Sequence, residues 1–158
     1  RLYVKGPNVM KGYLRAENPG VLEPVSDGWY DTGDIVGIDG QGFVKIMGRA
    51  KRFAKIGGEM VSLSAVEALA SEIWPAAPLV VVSVPDARKG ERLVLMTSDS
   101  KIARDAFIRH VRDKGVSELN IPADIMLVDK IPLLGSGKSD FVTATKLAKE
   151  RIAAKTAA

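Results

Sequence analysis

The sequence predicts an α+β fold in which short antiparallel sheets flanked by about three helices fill residues 50–158, preceded by a β segment at 1–49. Apolar alternation of period two dominates the first 49 residues, broken by Gly, Pro, Asn and Asp, with no stretch of helical period. Beyond Arg49, segments with apolar residues three and four apart alternate with β-branched runs. The composition also shifts at Gly48-Arg49, and the domain boundary is placed there, with 1–49 as one part and 50–158 as the other.

Residues 2–5 read as a first strand, closed by Gly6-Pro7-Asn8 and followed by a polar, Pro/Gly-rich stretch over 15–28. Strand signals return at 35–38. Asp39-Gly40-Gln41-Gly42 then turns the chain into 43–47, where Phe43, Lys45 and Met47 alternate with Val44 and Ile46 as in a hairpin. So short a β segment buries little and is expected to lean on a surface outside the chain. Ser64-Ala65-Val66-Glu67 has the spacing of a capping box, and Val66, Leu69, Ala70 and Ile73 continue with helical period until Pro75. Residues 79–84 form a β-rich run that Pro85-Asp86 ends, with 93–96 as its hairpin partner. Ala106, Phe107, Ile108 and Val111 mark a helix over 103–114 with Gly115 as its stop. A short strand at 125–128 and a loop at 131–138 precede the last helix, for which Asp140 is the expected N-cap.

Composition closes off several chemistries. With 46% apolar and 27% charged residues the chain should fold, and with no cysteine it has neither disulfide, thiolate metal site nor cysteine nucleophile. Its single histidine, His110, lies beside a helical apolar stripe and reads as a packing or surface residue; no residue is assigned to a metal. No run approaches the roughly 18 apolar residues of a membrane span, so this segment is expected to be soluble. Because the chain enters a strand-like run directly at Arg1, it is expected to be a fragment of something longer. Residues 1–50 carry six basic and six acidic side chains, so the formal charge of +4 arises beyond them. The cluster Lys51-Arg52-Phe53-Ala54-Lys55 suits an anionic partner, or equally a solvated strand edge. Aromatics make up 6% and do not alternate with basic residues, so nucleic acid is not an expected partner.

Three stretches could carry chemistry. Trp29-Tyr30-Asp31-Thr32-Gly33-Asp34 sets two carboxylates beside a glycine just before a strand. A carboxylate there could accept two vicinal hydroxyls, as on a ribose, or simply serve a turn. Gly135-Ser136-Gly137-Lys138-Ser139 resembles a phosphate loop, but the Walker spacing fails because Pro132 stands where a glycine is required. What remains is a lysine on a glycine loop, aimed at a phosphate or at solvent. From Gly48 to Val61, basic and apolar residues alternate around Gly57-Gly58, a composition suited to a hinge between two rigid bodies.

The order of these features, together with Gly12-Tyr13, Asp39-Gly40-Gln41-Gly42-Phe43, Ile46-Met47-Gly48-Arg49, Lys55-Ile56-Gly57-Gly58-Glu59 and Val66-Glu67, resembles the adenylate-forming enzymes: acyl-CoA synthetases, firefly luciferase and peptide-synthetase adenylation domains. The wording of 5–10, 49–62 and 132–142 is similar to the synthetase portion of the bacterial bifunctional 2-acylglycerophosphoethanolamine acyltransferases/acyl-acyl-carrier-protein synthetases. The resemblance makes 1–49 the end of a large AMP-binding domain and 50–158 a small mobile lid domain. It implies ATP and Mg²⁺, bound mainly by the rest of the large domain, a fatty acid converted to an acyl-adenylate, and transfer to the phosphopantetheine arm of acyl carrier protein and then to a lysophospholipid.

By the same resemblance Asp34 and Arg49 bind the nucleotide, Lys51 is the hinge, and Lys138 is the catalytic loop lysine. Lys55 and the strand 56–58, with Gly57 and Gly58, face the thioester step. The full enzyme would sit on the cytoplasmic face of the bacterial inner membrane, and the fragment alone would be inactive. Arg52 stands where many relatives carry aspartate, and Met60 where some CoA synthetases place arginine, departures that favour a protein acceptor over CoA. The competing expectations are an acyl-CoA synthetase domain and a non-catalytic basic binding module.

Overall fold

The structure is a computed structural model that describes residues 1–157. It divides into two compact units, an N-terminal one of Arg1–Lys51 and a C-terminal one that begins at Arg52.

The N-terminal unit is a set of separate two-stranded ribbons. β1 (Tyr3–Val4) pairs antiparallel with β4 (Tyr30–Asp31), and β2 (Gly12–Leu14) with β3 (Leu22–Pro24). The β2–β3 ribbon falls partly in the stretch expected to be irregular. Pro24 is tolerated because β3 pairs with one strand only and its other edge needs no N–H. β5 (Asp34–Ile38) and β6 (Val44–Arg49) form the expected hairpin, with Val36 opposite Ile46, Ile38 opposite Val44, and a register shift between Ile35 and Val36. Phe43 falls in the turn, where its N–H donates to Asp39 Oδ1 (2.9 Å).

The C-terminal unit is built on one five-stranded sheet. β7 (Phe53–Ile56) and β8 (Glu59–Ser62) form a hairpin that the sequence reading took as hinge. α1 (Leu63–Ile73) follows directly. Its cap is Ser62, whose Oγ accepts from the Ala65 N–H (3.3 Å), so the Ser64-x-x-Glu67 box does not form: Ser64 already lies inside the helix and Glu67 bonds elsewhere. β9 (Leu79–Asp86) and β10 (Gly90–Thr97) pair antiparallel over their full length. α2 (Arg104–Asp113) ends at Gly115, φ +64, with the Val116 N–H on Val111 O and the Gly115 N–H on Arg112 O, a full Schellman closure. β11 (Asp124–Leu127) runs parallel to β10, an exception to the expected antiparallel pairing. α3 (Phe141–Ala157) starts where expected: Asp140 accepts the Val142 and Thr143 N–H groups and the Thr143 hydroxyl, which together hold its carboxyl below the ordinary range, the hydroxyl first.

This sheet is covered on both faces, which explains why 79–84 and 93–96 are continuous apolar runs rather than alternating ones. Val81, Leu93 and Leu95 pack with Leu69 and Ala70 of α1 and with Phe107 and Val111 of α2. Val80, Val82, Val84, Val94 and Met96 pack with Ala144 and Ala148 of α3 and with Val128 and Ile131.

Candidate functional site

In the N-terminal unit the structure brings Asp34 and Arg49 together as cross-strand partners at the open end of the β5–β6 hairpin. Arg49 Nε lies 3.2 Å from Asp34 Oδ1, and its Nη1 donates to Thr32 O (2.6 Å). Gly33, at φ +74, makes this possible by turning the chain so that its carbonyl accepts the Ala50 N–H (2.7 Å) while Asp34 begins the strand. The Asp34 side chain is 18% exposed and the Arg49 side chain 64%. Beyond these contacts no other hydrogen bond or ion pair involves either side chain among the described residues, so a carboxylate and a guanidinium meet at one place. That set can take a hydroxyl and a phosphate oxygen of one ligand. Asp31, the other carboxylate of the stretch, is occupied: it pairs with Arg1, which holds its carboxyl below the ordinary range, and accepts the Gly33 N–H (2.9 Å).

Lys51, the expected hinge, is exposed in the short 3-10 turn Ala50–Arg52 and is the last residue of the N-terminal unit.

The C-terminal unit carries the other candidates. Lys55, Gly57 and Gly58 lie together on the β7–β8 hairpin, all exposed. Gly57 and Gly58 are not strand residues as expected. At φ +60 and +93 they are the two central residues of the turn, a conformation that side chains resist. The hairpin is pinned from behind: the Gly57 N–H donates to Lys89 O (2.9 Å), and Glu91 accepts the Lys55 N–H (2.6 Å) and the Ser83 hydroxyl (2.7 Å).

Lys138 is exposed on a loop whose backbone is closed by three hydrogen bonds: Leu134 N–H to Lys138 O (2.8 Å), Gly137 N–H to Leu134 O (2.9 Å) and Asp140 N–H to Pro132 O (2.9 Å). The loop is therefore a small ordered hairpin, with Leu133 opposite Ser139 and Gly137 at φ +80. Among the described residues Lys138 makes no ion pair. An unpaired ammonium on a fixed backbone is available to an anion that arrives from outside.

The sequence reading missed Arg52, which is only 7% exposed although it was grouped with the solvated basic cluster. Its guanidinium donates to Val81 O (2.8 Å) and to Glu67 Oε1 (2.5 Å), and lies 3.7 Å from the centre of the Phe141 ring. Glu67 Oε1 also accepts the Val81 N–H (2.8 Å), so this ion pair satisfies both backbone groups of an edge residue of β9. No local signal singles out Arg52 from Lys51 and Lys55, which stay exposed; its partners Glu67 and Val81 are distant in the sequence.

No protein-family model matches the chain. A feruloyl-CoA synthase from Amycolatopsis sp is 32% identical over 140 residues, 87% of this chain and 28% of that protein. Among solved structures, the o-succinylbenzoate-CoA synthetase of Bacillus subtilis, in complex with its acyl-adenylate intermediate, matches with a TM-score of 0.75 and 26% identity over 90% of this chain. Its relatives are adenylate-forming acyl- and aryl-CoA synthetases. ATP-bound MatB from Rhodopseudomonas palustris, another neighbour, gives a TM-score of 0.69 and 28% identity over 93% of this chain. The chain spans 28% of the feruloyl-CoA synthase and about the same share, 29% and 30%, of the two solved chains, so it matches a part of each.

Proposed function

We propose that this chain supplies the hinge and the loop lysine of an ATP-dependent ligase that activates a fatty acid as its acyl-adenylate and passes the acyl group to the phosphopantetheine thiol of acyl carrier protein, from which a lysophospholipid receives it. The observation that carries the reading is Lys138: an exposed, unpaired ammonium on a backbone-closed loop, in the same chain as an Asp34–Arg49 pair.

In this reading Asp34 accepts ribose hydroxyls and Arg49 holds a phosphate oxygen or the same ribose. Lys138 stands against the charge that builds on the α-phosphate while the fatty-acid carboxylate attacks and pyrophosphate leaves. Rotation at Lys51 then exchanges the Lys138 loop for the Lys55–Gly57–Gly58 hairpin, beside which the thiol attacks the acyl carbonyl and AMP departs. Among the described residues no group of three or more His, Cys, Asp or Glu is placed to hold a metal, so the Mg²⁺ that accompanies ATP is not assigned to this chain and no step is derived through it. No helix among the described residues is long and apolar enough to cross a membrane. The reading assigns the inner-membrane, cytoplasmic-face location to the full enzyme.

The test is Lys138→Ala in the full-length enzyme. ATP–pyrophosphate exchange should fall roughly 10²–10³-fold, the size of a lost transition-state donor, while thioester formation from preformed acyl-adenylate persists. Equal loss in both steps would leave a basic binding module instead.

A second reading keeps the chemistry and makes CoA the acceptor. It is favoured by relatives such as the feruloyl-CoA synthase and the o-succinylbenzoate-CoA synthetase. Against it stand Met60 at the arginine position and the excess of basic residues beyond residue 50, seventeen against thirteen acidic, which suits an acidic protein partner. Thioester yield with each acceptor decides between them.

A further inference from the structure

Arg52 and Lys138 are far apart in sequence, yet the loop that carries Lys138 is fastened by the residue that Arg52 holds. Lys138 lies three positions before Phe141, the first residue of α3, and the Phe141 ring covers the face of the Arg52 guanidinium at 3.7 Å. The edge of that guanidinium is fixed by the carbonyl of Val81, a core residue, and by Oε1 of the half-buried Glu67. Planarity matters, because a fork that bonds in its plane can stack on a ring at the same time, which an ammonium cannot do. On its other side the loop is anchored by Ile131, 6% exposed, and by the Asp140 N–H on Pro132 O. Arg52 is also the first residue of the C-terminal unit and follows Lys51 directly, so the group that grips the loop is the group at which the unit begins.

We infer that Arg52 is a positioning residue for Lys138: through Phe141 it locks the lysine loop to the start of the C-terminal unit, so that the loop moves as part of that unit. The inference deepens the proposed function and rests on it. A lysine carried by a loop free to wander would reach the same phosphate with a wider spread of positions, and misplacement of a charge lowers turnover more than ground-state affinity.

Phe141→Leu tests this without opening the buried ion pair, since the ring is partly exposed and the Arg52–Glu67–Val81 bonds stay. Amide exchange at Leu134 and Gly137, donors of the loop bonds, should quicken in Phe141→Leu and stay slow in Phe141→Trp, which keeps a π face. In the full-length enzyme Phe141→Leu should lower kcat of adenylate formation about tenfold with KM for ATP within about twofold, and leave thioester formation from preformed adenylate unchanged. Phe141→Trp should restore the rate, and Arg52→Lys should behave as Phe141→Leu does.

Unchanged exchange at Leu134 and Gly137 overturns the inference whatever the chemistry proves to be. So does a normal adenylation rate in Phe141→Leu when Lys138→Ala is slow, and so does a parallel fall of both half-reactions with loss of folded protein, which would make the contact a staple for α3 only. If Lys138→Ala itself leaves adenylation intact, the proposed function fails and this inference with it.

Discussion

Ile46 on β6 and Val94 on β10 each sit mid-strand in an antiparallel hairpin, yet Ile46 is 65% exposed and Val94 is not exposed at all. The difference is cover. α1 and α2 lie on one face of the C-terminal sheet and α3 on the other, and every buried side chain among the described residues belongs to Arg52 or to a later residue. The β5–β6 hairpin has no helix. Ile38, Val44 and Ile46 line one of its faces, at 69%, 50% and 65% exposure, because isolated two-stranded ribbons cannot cover one another. β-patterning alone thus makes strands in both units, but only the unit with helical periodicity also makes a core.

The largest effect should come from separating the two. Residues 52–158 expressed alone should unfold cooperatively with near-native secondary structure, whereas 1–51 alone should show no cooperative transition, because the net stability of a small domain comes from buried apolar area that the second peptide lacks. Far-UV circular dichroism against temperature reads this directly, and a sharp transition in 1–51 would break the comparison.

Next in size is a pair of phenylalanines. Phe107 is fully buried and stacks on Trp74 with ring centroids 6.4 Å apart, while Phe43 is 69% exposed in a turn. Phe107→Ala should cost about 3–5 kcal/mol, by lost transfer and a cavity the core cannot close, and Phe43→Ala less than about 0.5 kcal/mol. Urea titration followed at Trp74 in a Trp29→Phe background reads Phe107→Ala in the C-terminal unit, and far-UV circular dichroism of the whole chain reads Phe43→Ala in the N-terminal one.

The same contrast explains what could be read without coordinates. All three helices, the long β9–β10 hairpin and the Asp140 cap were legible, because each announces itself through local periodicity or local hydrogen bonding. The sheet that joins them was not, since the parallel pairing of β11 with β10 and the docking of the β7–β8 turn on Lys89 are long-range facts. Of the site, Asp34 and Arg49 were assigned to one nucleotide by resemblance, and the structure pairs them through a cross-strand register that spacing alone does not give. Arg52 was misjudged because a basic cluster on paper cannot show that one of its members turns inward to cap Val81. Glu67 was misread for the matching reason, its spacing from Ser64 being that of a cap while its carboxylate goes to Arg52.

A smaller effect should attend the glycine turn of the thioester-facing hairpin. A Cβ on Gly58 would meet nothing within 4 Å, so Gly58→Ala tests backbone conformation alone. At φ +93 the substitution should cost about 1–2 kcal/mol, visible as a lowered urea midpoint with unchanged slope. An unchanged midpoint would mean that this turn is not held by the sheet behind it, and that the cooperativity credited to the C-terminal unit stops short of its edge hairpin.

The smallest effect concerns the seam between α1 and α2. Glu72 of α1 accepts Lys114 Nζ (2.7 Å) and lies 2.6 Å from His110 Nε2, and its carboxyl is held below the ordinary 4.5, first by Lys114 and then by His110. A carboxyl whose pKa is depressed by folding stabilises the protein above its unfolded value, and that contribution disappears as pH falls through the folded one. Wild type should therefore melt above Glu72→Gln at pH 7, and the gap should narrow only once the pH drops below about 4.5, closing when the carboxylate is protonated in the folded protein. With all three side chains partly solvated the gap is small and shrinks with salt. If it were instead constant from pH 7 to pH 3, the charge on Glu72 would contribute nothing, and the α1–α2 seam would be held by apolar packing alone, like the two faces of the sheet it covers.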